Sequence, residues 1–275
     1  ALLERIGFEP TNPLTLRNSL SSDMMTLRTD LLPNMLGVLE RNATRQAEFG
    51  TFEVARVFTD RKDAAGTIVQ PNHLSVALYD RGARTGEAAT VLFCRMKGIL
   101  AQLFERLDLD GVDLSGPCKD SRPWIHPIRN MCVKLGERVV GYACGLHPET
   151  LGALDCLGSA VLAEIDLDAL LELPVRPRLF AEISKYPAIT VDISLHVGQR
   201  VNVGSVDRLI HQHGGEYLSE VAFVAEYVGA SVPEGCKSVT FRLTYRAAGR
   251  TLSQGEVDAE AIKAKLQGAV QHLEG

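Results

Sequence analysis

A proline-rich break, Leu173-Pro-Val-Arg-Pro-Arg178, interrupts the chain directly after a helical run, Leu167–Glu172. Proline lacks a backbone N–H and restricts the residue before it, so two prolines in four residues predict a linker and not a continuing element. The 275 residues are also the size of two ordinary domains. We predict a first domain at residues 1–172, a linker at 173–181 and a second domain at 182–275.

The second domain has the clearest periodic pattern. Apolar and polar residues alternate in two segments, as expected for strands with one buried face. The predicted elements are strand Ile189–Val197, helix Val203–His213, strand Leu218–Tyr227, strand Ser238–Arg246 and helix Val257–His272. Ser253 and Glu256 form a capping box that we expect to open the last helix. This order is that of a ferredoxin-like α/β sandwich whose last edge strand is short or absent.

The first domain alternates between strand and helix patterns. The predicted elements are helix Asp30–Arg45, strands Thr51–Phe58 and His73–Tyr79, helix Glu87–Leu107, and strands Met131–Leu135, Val139–Leu146 and Ala160–Ile165. Strands joined by short turns, with helices between them, predict an antiparallel sheet of the α+β class.

Composition excludes several kinds of protein. No apolar run approaches the roughly 20 residues of a transmembrane helix. Six cysteines are scattered without a Cys-x-x-Cys pair, which argues against zinc and predicts free, buried thiols in a reducing cytoplasm. A net charge of −5 disfavours a dedicated nucleic-acid-binding protein. Because Ala1 lies inside a helical pattern, we also expect a piece of a longer protein.

Motifs in both domains carry a resemblance to a known family. They are Leu27-Arg-Thr-Asp-Leu-Leu-Pro33, Thr51-Phe-Glu-Val-Ala-Arg-Val-Phe58, Ile165-Asp-Leu-Asp168, Ser184-Lys-Tyr-Pro187 and Phe241-Arg-Leu-Thr-Tyr-Arg246. With the segments around them, they resemble the C-terminal part of a bacterial-type phenylalanyl-tRNA synthetase β subunit. The resemblance spans nearly the whole chain.

The resemblance implies a class II synthetase-like core domain followed by a ferredoxin-fold anticodon-binding domain. It implies a cytoplasmic, non-catalytic piece that scaffolds the catalytic α subunit and contacts tRNA(Phe). ATP and magnesium would be used by the whole complex, and this piece would hold no cofactor. The family's N-terminal tRNA-binding domain and its editing domain are absent from the sequence.

A catalytic role for the first domain conflicts with the charges in its motifs. The catalytic subunit of the family uses arginines from a Phe-Arg-x-Glu strand and a glycine-rich segment, whereas this chain has Phe52-Glu-Val-Ala55 and no Gly-x-Gly-x-Gly-x-Arg. A carboxylate at 4 Å from a phosphate charge costs on the order of 4 kcal/mol at an effective dielectric constant near 20. Arg28 and Arg56 are alternative phosphate clamps, but ion pairing is the commoner role of arginine. We predict an inactive core.

Other arrangements that could support chemistry are weak. No serine lies in a Gly-x-Ser-x-Gly elbow. His126 and His147 each precede proline, which indicates a turn, and His211 and His213 point to different faces of a helix. Asp166 and Asp168 follow a strand, where helix capping is the simpler explanation. We therefore predict neither a catalytic residue nor a metal site.

Two sets of residues are candidates for binding. The candidates for an α-subunit interface are Met24, Met25, Leu31, Leu36 and Leu39, and the alternative for each is the domain's own core. The candidates for tRNA binding are Tyr186, Lys237, Arg242, Arg246 and Arg250, with the tyrosine stacking on a base and the cations on phosphates.

Two other functions remain open. One is a free-standing paralogue that binds RNA or a protein partner outside aminoacylation. The other is an active enzyme of the same fold that forms acyl-adenylates, which would bind ATP.

Overall fold

A six-stranded antiparallel sheet forms the centre of the first of two structural units, Ala1–Arg178 and Leu179–Gly275, in this computed structural model. The structure describes residues 2–18, 25–109, 111–120, 122–173, 177, 180 and 185–273. The strands are β1 (Glu48–Arg56), β2 (Asn72–Asp80), β3 (Val112–Ser115), β4 (Ile125–Leu135), β5 (Arg138–Leu146) and β6 (Ser159–Asp166). Their order in the sheet is β1-β2-β6-β5-β4-β3. The division between the units falls within the predicted linker.

Helices pack on both faces of this sheet. The helices of the unit are α1 (Leu2–Arg5), α2 (Leu32–Ala43), α3 (Gly86–Arg106), α4 (Pro148–Ala153) and α5 (Leu167–Leu171). The apolar stripe of α2 packs with Tyr79 and Leu162, and that of α3 packs with Leu78 and Val161. Neighbouring residues of a strand thus enter opposite cores, which is the alternation expected of a sheet covered on both faces. No helix in the described part of the chain is long and apolar enough to cross a membrane.

The predicted α+β class with antiparallel sheets is confirmed, and the largest differences from the predicted strands are at β4 and β3. β4 begins at Ile125 and not at Met131, because a register shift between Ile125 and Asn130 accommodates Pro127 within the strand. A bulge is one of the few places where a strand tolerates proline. β3 was not predicted, because its four residues are too few to show a period.

The prediction of free, buried cysteines was wrong for several residues. Cys118 and Cys132 form a disulfide, with their Cα atoms 4.8 Å apart. Pairing of β3 with β4 places Ser115 opposite Cys132 and so brings the two cysteines together. Their wide spacing in the sequence gave no sign of this. Cys94 is a free thiol but exposed.

The second unit is a three-stranded antiparallel sheet with two helices. Its elements are β7 (Ile189–Gly198), α6 (Val203–His213), β8 (Leu218–Tyr227), β9 (Cys236–Tyr245) and α7 (Ala259–Val270). The sheet order is β7-β9-β8. Val206 of α6 and Leu266 of α7 are fully buried against Phe241 of β9, so both helices lie on one face. The predicted ferredoxin-like order is confirmed, and residues 185–273 contain no fourth strand.

The capping box has a different role from the one predicted. Ser253 and Glu256 cap a separate 3-10 turn, Gln254–Glu256. Helix α7 then begins at Ala259, and the Asp258 carboxylate accepts hydrogen bonds from the Glu260 and Ala261 amides. The buried side chain of Val257 separates the two elements.

Candidate functional site

A cleft of about 510 Å³ opens on the first sheet, on the same face as α2. The acidic, basic and histidine side chains that line it are Asp30, His73, Lys119, Asp120, Arg122, Lys134, Glu164 and Asp166. Four are carboxylic acids and three are permanent cations, so the cleft does not offer the positive excess that a triphosphate requires.

The most deeply buried carboxylate of the cleft is Glu164 of β6, which is 3% exposed. Its two oxygens accept hydrogen bonds from the Leu31 amide at 3.0 Å and the Leu32 amide at 3.1 Å. Because α2 has no side-chain cap of its own, Glu164 satisfies amides that the helix leaves unpaired and places negative charge at its positive end. His73 Nδ1 lies 2.7 Å from the same carboxylate.

The arginine of the cleft is also bound by its own chain. Arg122 Nη1 donates to the Tyr142 hydroxyl at 2.6 Å and lies 3.1 Å from Asp30, and its Nε lies 3.4 Å from Asp120. Burial raises the pKa of Tyr142 well above its usual value, so the hydroxyl stays protonated. Trp124 donates a second hydrogen bond to this hydroxyl at 3.3 Å. Nη1 and Nε of Arg122 therefore contact side chains of the same unit.

The residues that the sequence suggested for phosphate chemistry lie elsewhere. Glu53 does not line the cleft but pairs with Arg28 at 2.8 Å. Arg28 also donates to the Arg56 carbonyl at 2.9 Å, which supports the ion-pair interpretation of this arginine. Sequence reasoning missed Glu164, although a single glutamate inside the apolar run Ala160–Ile165 signals a buried and therefore paired charge.

The two aspartates where β6 passes into α5 have structural roles. Asp166 accepts from the Ala169 amide at 3.0 Å and caps α5. Asp168 accepts from the backbone and side-chain nitrogens of Asn72, and these hydrogen bonds lower the pKa of Asp168. Within the described ranges, no three His, Cys, Asp or Glu side chains form a group that could hold a metal ion.

The second unit presents an uncovered sheet face opposite its helices. Arg242 of β9 lies directly across from Asp192 of β7, and two hydrogen bonds of 2.8 Å join their side chains. This pairing lowers the pKa of Asp192. Beside it, the hydroxyls of Ser194 and Thr240 lie 2.8 Å apart. The centre of the face is therefore a neutral ion pair with hydroxyl groups beside it.

Two arginines lie beyond the end of β9. Arg246 is exposed and forms no ion pair with another described residue. Arg250 pairs with Glu256 at 2.9 Å and lies 5.7 Å from the centre of the Tyr217 ring. The hydrogen bond from Arg250, followed by those from the Ser253 amide and hydroxyl, lowers the pKa of Glu256 to about 2. Arg250 therefore holds the capped turn in place.

The two other tRNA candidates are Lys237 and Tyr186, and Lys237 lies off the uncovered face. Lys237 is 7% exposed and pairs with Glu226 at 3.0 Å. It has the same parity in β9 as the buried Val239, so it faces the helix side of the sheet. Tyr186 is 38% exposed and precedes β7.

Comparison with known proteins matches both units. Residues 3–167 match a family described as phenylalanyl tRNA synthetase beta chain CLM domain, and residues 184–272 match the ferredoxin-fold anticodon binding domain. The chain belongs to the phenylalanyl-tRNA synthetase β-chain family.

Curated proteins from several organisms are similar to most of this chain. A phenylalanine–tRNA ligase beta subunit of Moorella thermoacetica is 33% identical over 92% of this chain and 32% of its own length. Those of Clostridium acetobutylicum and Bacillus licheniformis are 28% and 33% identical over 97% and 86% of this chain. The chain thus spans about a third of the length of the synthetase relatives that it matches.

The leucines of α2 and its N-cap residue, Leu31, pack inward in the synthetase-family core. Leu31, Leu36 and Leu39 are each 0% exposed, so they belong to the unit's own core and present no surface to a partner. This corrects their assignment as interface residues and supports the alternative that the sequence left open. Met25 is 43% exposed, and Met24 lies outside the described residues.

One aromatic residue of the anticodon-binding domain was missed. Tyr227 is 54% exposed at the end of β8, opposite Ser238 and on the uncovered face. Its hydroxyl packs over Gly229, where any Cβ would collide with it. The alternation in β8 is disrupted by a register shift between Phe223 and Ala225, so sequence periodicity did not show which face this tyrosine occupies.

Proposed function

We propose that this chain is a non-catalytic part of a phenylalanyl-tRNA synthetase β subunit, in which the first unit scaffolds the catalytic α subunit and the second contacts tRNA(Phe). The observation that carries the proposal is the cleft of the first unit, where Glu164 is bound to the start of α2 and Arg122 to the side chains around it. These contacts engage Arg122 and keep a buried carboxylate in the cleft, both of which would disfavour ATP. The family membership and the names of the relatives support the same role.

The location and cofactor use follow from this role. The chain would work in the cytoplasm, where translation takes place. ATP and magnesium would bind elsewhere in the complex, and this piece would hold neither. The core domain would then have a class II synthetase-like fold whose role is to provide surfaces for binding the α subunit.

A surface suited to the α subunit lies on the edge strand β1. Phe52 and Val54 are 72% and 55% exposed and point to the same side of this strand. Large apolar side chains on an uncovered edge strand are typical of protein interfaces. This surface takes the place of the buried leucines of α2 as the proposed contact.

The second unit would contact RNA more through stacking and hydrogen bonds than through charge. Tyr227 offers an exposed ring, and Ser194, Ser238 and Thr240 offer hydroxyls on the same sheet face. Unpaired bases of single-stranded RNA loops are recognised in this way. Such recognition is compatible with a net charge of −5.

Co-purification tests the proposal. The chain is co-expressed with the α subunit of the same organism, and a stable complex is expected. Phe52→Asp with Val54→Asp should reduce complex formation, whereas Ile128→Asp, at a site 83% exposed on β4, serves as the matched control. Binding of RNA without any association with the α subunit would instead support the free-standing paralogue.

A further inference from the structure

We propose that a cavity at the start of α3 binds a phosphate group. The cavity has a volume of about 220 Å³ and lies between the beginning of α3, the end of β5 and the start of β6. Among the residues that the structure describes, its only charged lining residues are Arg84 and Arg129, and no carboxylate lines it. In this it differs from the cleft on the α2 face, where carboxylates predominate.

Both arginines have donors to spare. The Arg129 side chain forms no hydrogen bond or ion pair with any residue that the structure describes, and it lies across Gly145, within 3.3 Å of where a Cβ would be. Arg84 makes one long contact, from Nε to the Arg81 carbonyl at 3.3 Å. A guanidinium has five N–H donors in a planar fork that matches phosphate oxygens.

The backbone at the start of α3 adds further donors. Thr85 caps the helix by accepting from the Ala88 amide at 3.1 Å, and the amides of Gly86 and Glu87 have no partner in the described part of the chain. Amides at a helix start complement a bound anion. The Glu87 side chain lines a different cavity, together with Arg95.

The residues around Arg129 also favour the binding of an anion in the cavity. The ring of His126 receives hydrogen bonds at Nδ1 from the amides of Ile128 and Arg129, so this nitrogen is unprotonated. Burial first, and then the charges of Arg129 and His147, lower the pKa of His126. No acidic group offsets the arginines among the described residues that line the cavity.

The size of the cavity restricts the ligand. It is smaller than the roughly 300–1,000 Å³ of pockets that enclose a drug-sized molecule. It suits a single phosphate group, either at the end of a nucleic-acid strand or within its backbone, or a free phosphate ion. The site lies in the first unit and does not depend on the proposed RNA-binding face of the second.

Amide NMR of the ¹⁵N-labelled chain tests the site, with inorganic phosphate added at constant ionic strength. We expect saturable shifts of the Gly86, Gly158 and Ser159 signals. Arg129→Gln and Arg84→Gln should each weaken binding about tenfold, because each removes a charge-assisted hydrogen bond. Arg95→Gln should leave the affinity unchanged, because Arg95 lies further along α3 and pairs with Glu48 of β1.

Short single-stranded RNA with and without a 5′-phosphate distinguishes a terminal phosphate from a backbone phosphate as the ligand. Shifts that require the 5′-phosphate identify a terminal phosphate, and equal shifts with both RNAs identify the backbone. Either result supports the proposed site if the shifts disappear in the double variant Arg84→Gln, Arg129→Gln. The proposal is overturned if neither phosphate nor RNA shifts these signals, or if a folded double variant binds as tightly as the original chain.

Discussion

The carboxylate of Glu164 accepts the amide of Leu31 at 3.0 Å, across 133 positions of sequence. This contact joins the start of α2 to the middle of β6, and it buries a negative charge in the cleft where a nucleotide would need positive charge. One side chain therefore stabilises the fold and, in the proposed function, would disfavour ATP binding.

Replacing Glu164 by alanine should destabilise the first unit by about 2–3 kcal/mol, because two buried amides lose a charged acceptor. Denaturant unfolding monitored by the fluorescence of Trp124, the single tryptophan, measures this change. Glu149→Ala is the control, since its side chain is 92% exposed and its loss should cost less than about 0.5 kcal/mol. Equal stabilities of the two variants would show that the Glu164 contacts contribute little.

Exchanging the charges of Arg242 and Asp192 tests whether Arg242 contacts RNA or only pairs with Asp192. Arg242→Glu should weaken binding of tRNA(Phe) by the assembled enzyme about fivefold at low salt, if the guanidinium contacts phosphate. The double variant Asp192→Arg, Arg242→Asp restores a pair of opposite charges but moves the cation to β7. If fluorescence anisotropy shows that the swap restores full affinity, Arg242 serves the sheet and not the RNA.

Tyr227→Ala should weaken tRNA(Phe) binding by about 1–3 kcal/mol, the range found for base stacking on an aromatic side chain. Tyr227→Phe keeps the ring and should bind as well as the original enzyme. Tyr186→Ala in the same titration compares the tyrosine that the sequence suggested. A loss of affinity for Tyr186→Ala alone would place the stacking contact before β7.

The hydrogen bonds to Glu256 predict a dependence of stability on pH. Its pKa is lowered from 4.5 to about 2 in the folded chain, first by Arg250 and then by Ser253. A lowered pKa means that the ionised carboxylate stabilises the folded state; this contribution is complete above pH 4.5 and is lost as the pH falls toward 2. The stability difference between the original chain and Glu256→Gln should therefore shrink over this window. A difference that stays constant from about pH 5 to 2 would contradict this assignment.

Strong local periodicity made much of the fold predictable. Helix α6 was predicted with its observed limits, and β7 and β9 within two residues, because one face of each element is buried and the other is not. The capping box at Ser253 and Glu256 was also found, but a local motif does not reveal whether a helix or a single turn follows.

The candidate sites were less predictable because they depend on contacts between distant residues. Lys237 and Arg242 have similar side chains, yet strand parity places one under the helices and the other on the uncovered face. Pairing partners such as Asp192 and Glu226 belong to other strands, so the sequence around each cation does not show whether its charge is free.

Isothermal titration of the chain with ATP and magnesium tests the claim that its cleft no longer serves nucleotide chemistry. We predict no saturable heat, because Nη1 and Nε of Arg122 contact its neighbours and the buried Glu164 carboxylate lies in the same cleft. Saturable binding in the micromolar range that is altered by Arg122→Gln would contradict the claim and favour an enzyme that forms adenylates.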